Sequence, residues 1–357
     1  ELLEVKEKYG EDRRTEIIKD FTTLSIEDMI AEEEMVLTIT HNGYIKRTNL
    51  NTYRSQRRGG RGVQGATSRD EDFVEHLFVA NTHSYILFFT DKGKCYWVKV
   101  YDIPEGGRAA KGRAIVNLIG CEPDEKVSAF ISVKEFNDDH FVVMATEKGI
   151  VKKTKLSAYS NPRKKGIYAV EIRDGDKLIE ARVSTGDNDI LLGTRNGKSI
   201  RFSEEQIRPS GRKTMGVKGI TLSSKDDRLV GMLLIKREGT TVLVATEKGF
   251  GKRTEISQYR AQKRGGKGVL TMKTTEKVGK MVTIKEVVDK DDLMIITNQG
   301  VLIRQPVSQI RAIGRATQGV KLIKLGEGTL VSSITRIMSE EDDGDENNSA
   351  EPEGSSE

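Results

Sequence analysis

The sequence predicts an all-β repeat protein: six four-stranded blades joined into a ring, with a short non-repeating segment at each end. Three observations carry this reading. A hairpin pattern recurs six times, its turn glycines keep a near-constant spacing, and no linker-like stretch separates the copies. Each copy is an apolar β-rich run, a polar residue, a turn glycine and a basic strand. The runs are Val36–Ile39, Ile86–Phe89, Val142–Ala145, Ile190–Gly193, Val242–Ala245 and Met294–Thr297. Their turn glycines are Gly43, Gly93, Gly149, Gly197, Gly249 and Gly300, spaced 50, 56, 48, 52 and 51 residues apart. An Asn-Gly, Lys-Gly or Gln-Gly step places at the turn the residue best able to take positive φ, as a tight hairpin requires.

The register continues beyond the turn. Four residues after the glycine stand Arg47, Lys153, Arg201, Arg253 and Arg304, with Trp97 in the second copy. Ten residues after it stand Tyr53, Ile103, Tyr159, Ile207, Tyr259 and Ile310, an alternation that predicts one core position per repeat. Near nineteen residues after it a second glycine recurs: Gly62, Gly112, Gly166, Gly216, Gly268 and Gly319. An apolar stretch and a further strand complete each unit. Four strands in about 50 residues make a propeller-type blade, and closing the ring removes the exposed sheet edges that so many strands would present. The blades are placed at about 35–83, 84–139, 140–188, 189–239, 240–290 and 291–338, one domain in all.

Charge is segregated along the chain. Residues 1–34 carry twelve acids and five bases, and residues 339–357 carry nine acids and no base. Against the total of +5, this leaves +21 on residues 35–338. A body so basic between acidic ends points to a polyanionic partner with an acidic modulator. The tail is rich in Ser, Asn, Asp and Glu, lacks aromatic residues, and is expected to stay disordered. Residues 1–34 read as a helical exit and linker segment. The opening Glu1-Leu2-Leu3-Glu4 is neither a signal nor a transit peptide and reads as a cut from something longer. Two cysteines, Cys95 and Cys121, cannot staple a chain this large. Four scattered histidines have no metal-ligand spacing, and no run of eighteen apolar residues predicts a membrane helix. Reduced thiols fit a cytoplasmic protein.

One loop stands out, between the Tyr/Ile position and the second glycine. In the first copy it reads Gln56-Arg57-Arg58-Gly59-Gly60-Arg61-Gly62, and in the fifth Gln262-Lys263-Arg264-Gly265-Gly266-Lys267-Gly268. Arg108, Arg212 and Arg315 keep the arginine of Arg58 and Arg264, while the third copy shifts its charge to Arg163, Lys164 and Lys165. Glycines are expected to let the backbone approach a duplex and aim its amides at phosphates, with arginine adding bidentate bonds. Repetition in register predicts a stripe of cations around the ring, which suits a bent polymer better than a small ligand. The basic strand after each turn, with Lys46, Arg47, Lys152, Lys153, Arg201, Lys252, Arg253 and Arg304, is assigned to the same surface. Phosphate contacts carry no sequence information, so binding should be non-specific.

The loop strings and the repeat together resemble the C-terminal domain of the DNA gyrase A subunit, over essentially the whole chain. Gln56–Gly62 is similar to the gyrase box without departure. Glu7-Lys8-Tyr9-Gly10-Glu11-Asp12-Arg13-Arg14-Thr15-Glu16-Ile17 resembles the segment by which the family's N-terminal domain leaves its coiled coil. The paralogous topoisomerase IV protein has similar blades but usually a degraded box, so the intact string favours gyrase. The resemblance implies a six-bladed β-pinwheel whose blades exchange strands. Duplex DNA wraps its rim in a right-handed sense, and the first box closes the ring and fixes the end of the wrap. It further implies a holoenzyme in which the gyrase B subunit joins the N-terminal domain of the A subunit. ATP and Mg are handled by those other parts, and none of the cleavage chemistry lies in this chain. No Walker-type string is present, and no acids or histidines converge in register. Two other classes stay open on the residues alone: a protein-interaction propeller, which needs an apolar surface patch, and a propeller enzyme with a site in its central channel.

Overall fold

The computed structural model describes residues 1–11, 27–49, 74–107, 110–122, 124–235, 239–299 and 302–337. The chain divides into two compact units, Glu1–Glu32 and Glu33–Glu357. The first holds a helix, α1 (Leu2–Tyr9), on which Leu2, Leu3, Val5 and Tyr9 are exposed.

The second unit is the repeat. Its first repeat supplies β1 (Glu34–Thr40), β2 (Tyr44–Asn49) and β3 (Val74–Asn81). The second supplies β4 (Tyr85–Thr90), β5 (Lys94–Lys99), β6 (Arg113–Ala114) and β7 (Val127–Val133). The third runs through β8 (Phe141–Thr146), β9 (Ile150–Lys155), β10 (Ile167–Tyr168) and β11 (Leu178–Ser184). The fourth follows with β12 (Asp189–Thr194), β13 (Lys198–Ser203), β14 (Val217–Lys218) and β15 (Leu229–Ile235). The fifth has β16 (Thr241–Thr246), β17 (Phe250–Glu255), β18 (Val269–Leu270) and β19 (Met281–Val287). The sixth has β20 (Asp292–Thr297), β21 (Leu302–Pro306), β22 (Val320–Lys321) and β23 (Val331–Ile337). A one-turn helix, α2 (Ile115–Ile119), follows β6.

The hairpins form for the reason the glycine spacing implied. Gly43, Gly93, Gly149, Gly197 and Gly249 have φ between +76° and +83°, a region open to glycine at no steric cost. A threonine three residues earlier completes each turn. Its carbonyl accepts the glycine N–H, and the hydroxyls of Thr40, Thr90, Thr146 and Thr194 accept the next residue's N–H at 3.1 to 3.4 Å.

A blade is not a contiguous stretch of chain. The sheets order as β3-β1-β2-β6, β7-β4-β5-β10, β11-β8-β9-β14, β15-β12-β13-β18 and β19-β16-β17-β22, all antiparallel. The two-residue strand in each comes from the following repeat. Among the described residues the sixth sheet is three-stranded, β21-β20-β23. The second glycine is the crossing point. A Cβ on Gly112, Gly216, Gly268 or Gly319 would lie 2.4 or 2.5 Å from the carbonyl oxygen of Ile45, Val151, Ser199 or Gly251 in the preceding repeat. No side chain fits there, and φ is positive at all four.

The core lies between blades. One cluster joins the first and second repeats around Leu37, Phe88 and Ile103, and the next joins the second and third around Phe89, Met144 and Tyr159. Three more continue in sequence to Ile310 and Ile334. The predicted core position is buried in every described copy: Ile103, Tyr159, Ile207, Tyr259 and Ile310. Full burial of each such side chain is worth about 1.5–3 kcal/mol. Neighbouring inner strands β7, β11, β15, β19 and β23 pack in turn, Phe78 of β3 stacks on Phe130 of β7, and β23 packs on β3. The ring is therefore closed at its axis, and the exchanged strands form its outer edge.

Candidate nucleic-acid interface

The cations assigned from sequence separate into two sets. The set on the basic strands faces inward. Four residues past the turn, Arg47 Nε donates to Ile103 O at 2.8 Å, and Arg201 Nη1 donates to Ile256 O and Tyr259 O at 3.2 Å. Arg253 Nε donates to Ile310 O at 2.6 Å. Each acceptor lies in the short 3-10 turn of the next repeat or at its end. Trp97, the exception in the pattern, does the same with its indole N–H, which donates to Tyr159 O at 2.9 Å. Carboxylates complete the sites: Glu105 beside Arg47, Asp189 with Arg201, and Asp289 with Arg253. Lys153 is buried and pairs with Glu204 at 3.1 Å, a carboxylate of the next repeat that also accepts from Ser184 Oγ. Arg304 is exposed and pairs with Asp292.

One residue earlier, Lys46, Lys152 and Lys252 are buried ammoniums. Lys46 Nζ donates to Gly107 O at 3.0 Å. Lys152 Nζ donates to Ala169 O at 2.7 Å and to Arg212 O. Lys252 Nζ donates to Gly314 O at 2.7 Å, to Arg315 O, and to Thr317 Oγ1 at 3.1 Å. Burial pushes all three below the usual lysine value, Lys152 to about 7 and Lys252 to about 8, and the charge of Arg212 or Arg315 adds to the effect in the last two. The assignment of Lys46, Arg47, Lys152, Lys153, Arg201, Lys252 and Arg253 to an outer binding surface is therefore corrected. Both faces of a blade are covered by its neighbours, so adjacent residues on opposite faces of the strand are both enclosed. Arg304, although exposed, is engaged by its own blade.

The loop cations behave differently. In the fifth copy Lys263 and Lys267 are exposed, while Arg264 is half-buried. The loop backbone is fastened to the fourth blade: Gln262 N donates to Arg201 O, Gly265 N to Gly219 O, and Thr221 N to Gly266 O, at 2.7 to 2.9 Å. The Gly265 amide is thus spent on the protein, not aimed at a phosphate. This corrects the expected role of that glycine: its φ of +81° makes the turn. Arg264 lies over the previous edge strand, with Nη1 donating to Lys218 O at 2.6 Å and Nε to Gln206 O at 3.2 Å. Arg212 donates in the same way to Tyr168 O and Arg315 to Leu270 O, at 3.4 and 3.1 Å. Each loop arginine therefore covers the end of the exchanged strand before it. Arg163, Lys164 and Lys165 are all exposed. The first box, Gln56–Gly62, and Arg108 lie outside the described residues.

Sequence reading passed over the edge strands. Lys218, Lys321 and Arg113 stand exposed on β14, β22 and β6, directly after the second glycine, and Lys213 lies exposed between Arg212 and Gly216. The signal was present in three copies: residues 206–224, 256–275 and 293–326, which carry the fourth to sixth loops with β14, β18 and β22, hold no Asp or Glu at all. Tyr168, Val217, Leu270 and Val320 are exposed on the same strands, giving the rim apolar surface between its charges.

Architecture and edge chemistry define the class: a strand-exchanging, six-bladed β-propeller with a cationic outer edge. The chain belongs to the DNA gyrase C-terminal domain, beta-propeller family, whose profile matches residues 34–81, 84–134, 140–185, 188–236, 240–287 and 291–337, one segment per repeat. It is 48% identical over 345 residues to the A subunit of DNA gyrase from Staphylococcus epidermidis, covering 96% of this chain. With that of Staphylococcus aureus it shares 46% over 346 residues, again 96% of this chain. The chain spans 38% and 39% of the length of these two relatives. Among solved structures, the C-terminal domain of DNA topoisomerase IV superposes with a TM-score of 0.76 at 25% identity, over 87% of this chain and 95% of that one. A DNA gyrase A C-terminal domain superposes with a TM-score of 0.67 at 24% identity, over 86% and 100%, and shares the fold.

Proposed function

We propose that the chain binds duplex DNA without sequence preference and bends it along the outer edge of the ring. The observation that carries this is the exposed Lys and Arg on loops and edge strands that repeat around the rim, set in the fourth to sixth copies along stretches without Asp or Glu. Successive blades offer cations at one radial place, which matches a continuous polyanion and not a compact ligand. Smoothly bending 20–30 base pairs costs on the order of 1–6 kcal/mol, which counterion release at several phosphates offsets. The first box and Arg108 are assigned to the same interface by register. Within a DNA gyrase holoenzyme, where a B subunit joins the N-terminal domain of the A subunit, the wrap would present a DNA segment for ATP-dependent negative supercoiling. The cleavage chemistry, ATP and metal are assigned to those other parts, and the setting to the cytoplasm with the nucleoid.

The test is a salt titration of binding to linear duplexes of unrelated sequence. We expect equal affinities and a log–log slope of about −0.9 per phosphate engaged. Affinity that ignores salt between 50 and 200 mM, chosen because phosphate contacts lose about 10³–10⁵ there, would overturn the reading.

A further inference from the structure

The buried lysines recur in alternate blades. Lys46, Lys152 and Lys252 stand three residues after Gly43, Gly149 and Gly249, whereas Tyr96, Ile200 and Ile303 fill that place in the other three. Each lysine bonds a carbonyl in the Gly-Arg loop of the following blade: Gly107, Arg212, or Gly314 with Arg315. Two of the acceptors belong to the residues whose guanidiniums lie at the rim. The ammonium holds the arginine's backbone down, and like charge keeps the guanidinium away from it. We propose that Lys152 and Lys252 are positioning residues of the DNA interface, setting the rim loops that carry Arg212 and Arg315. Lys46 stands in the equivalent place under Gly107. This inference rests on the rim being the DNA-binding surface.

The arrangement couples binding to a proton. The charged groups acting on Lys152 are Arg212, which disfavours its ammonium, and Glu171, which favours it; Arg315 acts on Lys252. The nearby phenols Tyr159 and Tyr259 are pushed up by burial, Tyr259 to about 12, and stay neutral in this range. A phosphate on Arg212 or Arg315 offsets the guanidinium's charge and so favours the protonated lysine below. Coupling is reciprocal, so a proton on the lysine tightens DNA binding, and a neutral amine holds the loop with fewer donors. Binding should weaken as pH rises from 7 to 9.

The experiment measures affinity of the full 357-residue chain for a linear mixed-sequence duplex at pH 7, 8 and 9, at fixed salt. It uses the native chain, the double variant K152M/K252M and the double variant R212A/R315A. We expect the native affinity to fall about tenfold across the range. K152M/K252M should be about tenfold weaker than native at pH 7 and nearly flat with pH, with an undiminished melting temperature. Native affinity for K152M/K252M beside a weakened R212A/R315A would overturn the positioning role and leave the rim reading standing. Native affinity for R212A/R315A as well would overturn both. If K152M/K252M does not fold, the native profile decides: a flat affinity from pH 7 to 9 overturns the proposal.

Discussion

Lys252-Arg253 and Lys263-Arg264 are identical dipeptides eleven residues apart, and the ring uses them in different ways. In the first pair both side chains are buried, one bonding the carbonyls of Gly314 and Arg315 and the other that of Ile310 and the Asp289 carboxylate. In the second pair Lys263 is exposed and Arg264 covers a neighbouring edge strand. The difference lies in what each strand is packed against. A hairpin strand is enclosed between two blades, so its cations must find partners inside, because a buried unpaired charge costs several kcal/mol. An edge loop has a neighbour on one side and water on the other, so its lysines keep their charge for an external partner.

Four variants test that contrast. The largest effect belongs to the crossing point both regions share. Gly268→Ala sets a Cβ 2.4 Å from Ser199 O at a φ of +68°, so urea unfolding should show a loss of about 3 kcal/mol or more, with DNA binding lost too. Arg253→Ala comes next, at about 2 kcal/mol from the charged donor to Ile310 O, while the salt slope of DNA binding in the folded protein stays native. A native unfolding midpoint for that variant would mean the inter-blade bond contributes nothing. Trp97→Phe keeps the ring and removes only the N–H donor to Tyr159 O, for about 1 kcal/mol. Lys263→Ala with Lys267→Ala should do the reverse of these: stability within about 0.5 kcal/mol of native, and a salt slope shallower by about 2.

The pH dependence sharpens the contrast further. Lys152 and Lys252 have folded values of about 7 and 8 against an unfolded value of 10.5, so between these the unfolded chain binds more protons. Stability contributed by these two sites therefore rises with pH from about 7 to 10.5. DNA affinity is expected to fall over the lower part of the same window. Melting curves at pH 7 and 9, native against K152M/K252M, should show the native chain gaining on the variant as pH rises.

Much of the fold was legible because a repeat leaves a register. Among the described residues the turn glycines, the second glycines and the Tyr/Ile position fall where spacing put them. Three things were not. The threonine three residues before each turn glycine is as regular as the glycine, yet threonine is common in strands and drew no notice. Two residues after Gly216 or Gly268 carry no mark of which sheet they join, since that depends on where the chain can cross another backbone. Strand alternation implies one buried and one exposed face, so Lys152 and Lys153 could not both be read as interior. Only the stacking of blades encloses both. The interface was half-legible for the same reason: loop cations such as Lys263 keep their charge, whereas hairpin cations of identical chemistry are consumed by structure.

The exchanged strands also set how the ring can be divided. Because β22 lies in the fifth sheet, a cut at residue 291 takes the sixth repeat and one edge of the fifth blade with it. Each of the first five repeats is finished by its successor, so dismantling has a direction, and any of these blades can be excised intact only together with part of the next.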